Sequence, residues 1–260
     1  YRGAGRPEAT FVVERLVDTA AIEMGIDKID IRRRNIIPKE AYPYQTPMIV
    51  EYDSGDPGAC LDRAEVLADV AGFEIRRSES ASRGMYRGLG ISTYVEACGL
   101  APSRLAGQLG ARGGLYESAT VRVHPSGAIT VLIGTHNHGQ GHETTFAQIV
   151  SERLGVPFEN IDIVFGDTDK VQMGMGTYGS RSGAVGMSAI VKAIDKVEAK
   201  AKKIAAHLME ADEADIQIQN GELVVAGTDK KLPWFQVCLA AYTAHNLPSG
   251  MEPGLKETAF

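Results

Sequence analysis

The stretch Ala119–Leu154, ATVRVHPSGAITVLIGTHNHGQGHETTFAQIVSERL, leaves the chain little conformational freedom. β-Branched residues on alternate positions flank Pro125-Ser126-Gly127, which predicts a hairpin. A tight turn at Gly139-Gln140-Gly141 then passes the second strand into a helix from Thr144 to Leu154, with Gly155 and Pro157 behind it as a stop. Backbone N–H groups uncrowded by Cβ atoms at a helix N-terminus accept anions such as phosphate.

Within that stretch HNHGQGHE sets three imidazoles and a carboxylate in eight positions. His136 and His138 share one face of an extended strand, compatible with the HxH metal pair of zinc hydrolases, but no Asp or further His stands where such an enzyme completes its shell. An anion or cofactor cradle, a metal pair and a structural turn all stand at this point. His142 and Glu143 read as polar lining of the first turn, with Glu143 favoured by the positive helix end.

Two more glycine clusters also lead into helices. Gly174-Met175-Gly176-Thr177-Tyr178-Gly179-Ser180-Arg181-Ser182-Gly183 carries hydroxyls and open amides suited to multipoint binding of a phosphorylated group, and reads equally as a flexible loop with an ordinary N-cap. Tyr1-Arg2-Gly3-Ala4-Gly5-Arg6-Pro7 has no strand before it, so its glycines do not support a nicotinamide-dinucleotide fold. P-loop and GxSxG signatures are absent.

Elsewhere, Pro7 opens a helix expected to bury Ala9, Val12, Val13, Leu16 and Ala20 and to stop at Gly25. Asp56-Pro57 opens another, burying Cys60, Leu61, Ala64, Leu67 and Ala68 before Gly72. YPYQTPMIVEYDSGD between them reads as extended, FEIRRSESASRG as a linker with a domain boundary near Glu79, and GLGISTYVEA and NIDIVFGD as strands. A long helix from about Gly183 to Met209, a hairpin turning at Asn220-Gly221 and a closing helix in PWFQVCLAAYTAHNL complete an α+β chain.

Composition narrows the partners. A net charge of −6 without basic stretches interleaved with aromatics gives nucleic acid no foothold. No apolar run approaches the roughly 20 residues of a membrane span, and YRGAGRPEAT lacks the plan of an export signal. Cys60, Cys98 and Cys238 are odd in number and far apart, so buried small hydrophobes in a reducing cytoplasm are expected. The opening at Tyr1 inside a glycine motif and the stop at KETAF lead us to expect a piece of a longer polypeptide.

In this order YRGAGRPEA, IDIRRRNIIP, GLGISTYVE, GQGHETTFAQIVSERLGVP and GTYGSRSGAVG resemble the molybdenum-binding large subunit of the xanthine dehydrogenase, aldehyde oxidase and carbon monoxide dehydrogenase family, through essentially all 260 residues. The resemblance implies that residues 1–78 end a first molybdenum-cofactor domain and 79–260 form the beginning and centre of a second, with mixed sheets and flanking helices. It implies that Gly139, Gln140, Gly141, His142 and Thr144, with Thr177, Tyr178, Gly179, Ser180, Arg181 and Ser182, embrace molybdopterin cytosine dinucleotide, whose pterin sulfurs hold the molybdenum so that no protein metal ligand is needed.

Arg2 is implied to orient substrate, with Gly3 and Ala4 beside the cofactor. Copper-dependent carbon monoxide dehydrogenases carry a metal-ligating cysteine where this chain has Gly3, and purine and aldehyde oxidisers carry a phenylalanine at Ala4, so a roomier or differently shaped pocket that does not favour aromatic purines is expected. The family's catalytic glutamate is expected beyond Phe260, which would leave these residues inactive alone. The implied reaction is hydroxylation of an aldehyde or N-heterocycle with water as oxygen source. Electrons would leave through an iron–sulfur small subunit to an FAD medium subunit, in a dimer of heterotrimers. A hydrolase using His136 and His138, or a scaffold module without cofactor, are the rival readings.

Overall fold

The computed structural model describes residues 3, 5–48, 50–96, 99 and 102–260. They fall into two compact units, one within residues 3–96 and the other within residues 99–260.

In the first unit α1 (Arg6–Met24) ends at Gly25 in the left-handed conformation and α2 (Lys28–Asn35) starts at the Asp27 cap. A two-residue pair, β1 (Tyr44–Gln45) and β2 (Glu51–Tyr52), precedes α3 (Pro57–Ala68), capped by Asp56, and α4 (Phe73–Ala81) follows. The helices fall where expected, but their apolar faces do not. Val12, Val13 and Leu16 are exposed, and α1 instead turns Glu14, Asp18 and Ala21 toward α2, where buried Arg32 pairs with both carboxylates at 2.8 and 2.9 Å. Of the five residues expected to be buried on α3 only Leu61 is; Cys60 and Leu67 are exposed. A unit with this little apolar mass can close one face of each helix and not a second.

Two further expectations are corrected. FEIRRSESA is helical because Arg76 carries α4 back onto α3, donating to the Ala68 and Asp69 carbonyls, an interaction that periodicity does not register. Glu79 therefore lies inside a helix. α3 ends at its Asp69 cap, before Gly72 as expected, and Gly72 in turn caps the start of α4. Residues 88–96 form no strand, since no neighbour pairs with them; the Thr93 amide donates to Glu14 instead.

In the second unit α5 (Ser103–Gln108) leads to the hairpin of β3 (Ala119–Val123) and β4 (Ile129–Ile133). α6 (His142–Leu154) crosses over to β5 (Ile161–Val164), parallel to β4. A π-helical turn (Ser182–Met187) opens α7 (Ser188–Met209). The strands β6 (Ile216–Gln219), β7 (Glu222–Val225) and β8 (Lys231–Pro233) form a small antiparallel sheet, α8 (Trp234–Thr243) follows, and β9 (Lys256–Ala259) returns to pair with β3. The main sheet runs β5-β4-β3-β9, mixed in direction, and the fold is α+β as expected.

α7 explains why this unit closes. Ile190, Ile194, Val197, Ala201 and Ile204 recur at helical spacing and are fully buried with Val121, Val131 and Ile133 of the sheet and with Phe146 and Val150 of α6. Each large side chain so buried contributes roughly 1.5–3 kcal/mol. Cys238 joins this core as expected, and burial pushes its thiol up to about 12. Cys98 lies outside the described residues. No helix among those described is long and apolar enough to cross a membrane.

Candidate cofactor-binding site

Both loops singled out in the sequence leave the same end of the main sheet. β4 runs out at Ile133, and the chain passes through Gly134 and buried Thr135 before Gly141 caps α6 with φ +77° and no side-chain cap. Asn137 organises the turn: its Oδ1 accepts from the Gly139 and Gly141 amides at 3.0 and 3.2 Å, and its Nδ2 donates to Glu143. The Gln140 side-chain oxygen takes the His138 amide. Thr144 and Thr145 N–H already reach the Gly141 carbonyl, so the helix-end amides left to an anion are those of His142 and Glu143.

The imidazoles do not converge on a metal. His136 and His138 stack on each other with centroids 4.8 Å apart, and His136 also meets the Phe165 ring edge-on at 4.9 Å. Among the described residues no group of three His, Cys, Asp or Glu could hold an ion. His142 is buried and stacks on Phe146. Burial holds its pKa below the ordinary imidazole value, against the opposing pull of the His136 backbone and Glu143.

The second loop rests on charge. Arg181 and Glu117 are both fully buried and paired at 2.9 Å. Arg181 Nη1 also donates to the Gly176 carbonyl at 2.6 Å, and Nη2 to those of Leu115 and Tyr116 at 3.0 and 2.8 Å. Its guanidinium lies 5.4 Å from the centre of the Tyr178 ring. Ser180 holds φ +52°, a left-handed conformation that costs a non-glycine residue roughly 1–2 kcal/mol and tends to persist where function requires it.

The two loops are joined. Thr177 Oγ1 donates to the His136 carbonyl at 2.5 Å, and Ser182 Oγ lies 3.2 Å from Thr177 Oγ1. At their roots the Gly134 and Gly174 backbones approach so closely that a Cβ on either would overlap the other's Cα. Gly139, Gln140, Gly141, His142 and Thr144 thus share one end of the unit with Thr177, Tyr178, Gly179, Ser180, Arg181 and Ser182. Within that set the Gly139 and Gly141 amides, the Thr177 hydroxyl and both Arg181 terminal nitrogens are engaged inside the protein. Gln140, Thr144, Tyr178 and Gly179 are exposed, and Ser180 is half-buried. Arg2 and Ala4 lie outside the described residues, and Gly3 belongs to the other unit.

Sequence reasoning gave no role to Asn137, although it sits inside the quoted motif and Asn-x-Gly is a recognisable Asx-turn signal. Glu117 had no signal at all. The residues present fit a polar, anionic group: Thr135 Oγ1 and His142 Nδ1 are buried polar atoms without a hydrogen-bond partner, and both lie on the first loop. Buried polar atoms are nearly always satisfied, so such a concentration marks a place where protein atoms are not the whole of the network.

Comparison with known proteins supplies the family. Residues 63–260 match the molybdopterin cofactor-binding domain model MoCoBD_2, and residues 1–36 match a second molybdopterin cofactor-binding model, MoCoBD_1. The chain belongs to the molybdopterin cofactor-binding domain family. Within the family it is 40% identical over 260 residues to the carbon monoxide dehydrogenase large chain of Hydrogenophaga pseudoflava, covering 97% of this chain and 32% of that one. It is 33% identical to the nicotine 6-hydroxylase large subunit of Paenarthrobacter nicotinovorans, over 99% of this chain and 32% of the relative. The crystal structure of quinoline 2-oxidoreductase from Pseudomonas putida 86 superposes with a TM-score of 0.79 at 35% identity, over 96% of this chain and 32% of that chain. The chain thus spans about a third of the length of these relatives.

Proposed function

We propose that this chain is the cofactor-gripping part of a molybdenum hydroxylase large subunit, and that the loops of residues 134–144 and 174–183 close on molybdopterin cytosine dinucleotide. The observation that carries this reading is the junction of the loops through Thr177 and His136, which sets two sources of donors around one place. The helix-end amides of His142 and Glu143 bind an anionic oxygen, the hydroxyl of Ser180 supplies a further donor, and Gln140 and Tyr178 line the entrance. When bound, the cofactor supplies two-electron redox chemistry at molybdenum; the chain's own residues bind it, orient it and keep water from its phosphates.

For the intact enzyme the substrate class is an aldehyde or N-heterocycle, with water as oxygen source and Arg2 as the orienting cation. A copper-dependent carbon monoxide centre is disfavoured by the backbone itself. Gly3 holds φ +61°, and a Cβ there would lie 2.6 Å from Pro7 Cδ, so a cysteine could replace it only with strain and overlap. An iron–sulfur small subunit and an FAD medium subunit would carry electrons away, in a cytoplasmic dimer of heterotrimers.

The test is elemental and nucleotide analysis of the full-length protein from a host that makes the cofactor. Equimolar molybdenum and acid-released CMP are expected. Zinc would point to a hydrolase, and neither metal nor nucleotide to a scaffold; either result overturns the reading.

A further inference from the structure

We infer that Glu117 and Arg181 are a positioning pair that shapes both cofactor loops without touching the cofactor. This rests on the function proposed above and assigns Arg181, which lies within the loop, a task other than ligand contact.

Consider where the contacts of the pair go. Glu117 Oε1 accepts from the Ser118 amide at 3.0 Å, and Oε2 from the Met175 amide at 3.2 Å and from Arg181 at 2.9 Å. Arg181 spends Nη1 and Nη2 on Glu117 and on the carbonyls of Gly176, Leu115 and Tyr116. Ser118 Oγ adds a bond to the Met173 carbonyl at 2.5 Å. The partners therefore form two strips of backbone, residues 115–118 ahead of β3 and residues 173–176 at the entry to the second loop.

The first loop is reached as well. The Glu117 carboxylate packs against Gly134 so closely that a Cβ on that glycine would overlap it. One carboxylate thus fixes the root of the first loop and the entry to the second. The guanidinium, lying near the Tyr178 ring, sets the exposed residue that lines the entrance.

A fully buried ion pair is a poor way to gain stability, because apolar residues of similar volume hold a core at least as well. Its advantage is geometry. A guanidinium presents donors in a rigid fork, here to three carbonyls and a carboxylate, and a lysine has neither the fork nor the reach to replace it. Since Arg181 has no exposed surface and both terminal nitrogens are engaged, it acts on the site through Gly176 and Tyr178.

The variants Arg181→Lys, Arg181→Met and the double variant Glu117→Leu/Arg181→Met in the full-length protein test this. Three readouts are needed: the thermal midpoint, the rate of CMP-containing cofactor loss on dialysis, and amide hydrogen exchange across residues 134–144 and 173–182. Arg181→Lys should leave the midpoint near wild type while cofactor loss quickens about ten-fold or more, by analogy with the loss of residues that support a ligand from behind. Exchange should rise in both loops. The double variant should recover the midpoint lost in Arg181→Met and not the retention.

If retention follows the midpoint through all three variants, or if exchange in the loops is unchanged in Arg181→Lys, the pair is only structural and the inference is wrong. Wild-type protein without molybdenum or CMP would overturn the proposed function. The exchange measurement needs no cofactor, so it would still decide whether the pair shapes the loops.

Discussion

Beyond its root at Gly134 the first loop is tied from within, whereas the second is held from a distance. In residues 134–144 the turn is tied by uncharged side chains to amides two and four residues away, Asn137 to Gly139 and Gly141. In residues 174–182 the shape depends on Glu117, which lies 58 residues before Met175 and 64 before Arg181. Two glycine-rich loops of similar outline therefore have unequal foundations. One is local and partly solvated, where a hydrogen bond contributes about 1 kcal/mol; the other is buried, where removing one charge strands its partner.

That inequality orders the consequences of substitution. Arg181→Met leaves the Glu117 carboxylate unpaired in the interior and should cost about 3–5 kcal/mol in denaturant unfolding; a loss under about 1 kcal/mol would erase the contrast between the loops. Gly174→Ala drives a methyl group into Gly134 and should cost about 1–3 kcal/mol, with hydrogen exchange rising in both loops because they share that contact. Asn137→Ala should cost about 1 kcal/mol and raise exchange only in residues 137–143. If its effect spread to the second loop, the first would not be locally held.

The smallest effect is electrostatic. Because burial depresses the His142 pKa, the folded state resists the imidazolium that the unfolded chain accepts. Its contribution is intact above the unfolded imidazole value of about 6.5 and is lost as pH falls through the interval down to the depressed folded value. Thermal midpoints measured from pH 8 to pH 5 should fall on the acid side, and His142→Gln should flatten that slope. An unchanged slope would mean that other groups govern it.

Legibility in the sequence follows the same division. The hairpin, α6, β5, the long α7 and the Asn220-Gly221 turn were readable because each is specified by short-range pattern: alternation, helical spacing, a glycine stop. The glycine-rich loops were readable as turns leading into helices for the same reason. What failed was long-range. The burial of α1 and α3 was misjudged because apolar spacing names a face but not whether anything covers it, and Val12, Val13 and Leu16 stand exposed while α1 turns ion-paired Glu14 and Asp18 inward. The 73–81 helix was hidden because Arg76 anchors it through the carbonyl end of α3. Glu117 was hidden because a glutamate ahead of a strand looks like any surface residue until its partner is found.

Hydrogen exchange of the full-length protein with cofactor bound and after its release most directly tests whether both loops serve one ligand. Residues 136–143 and 174–183 should gain protection together on binding and to a similar degree. Protection confined to one of them, or to neither, would contradict a shared phosphorylated pterin between them.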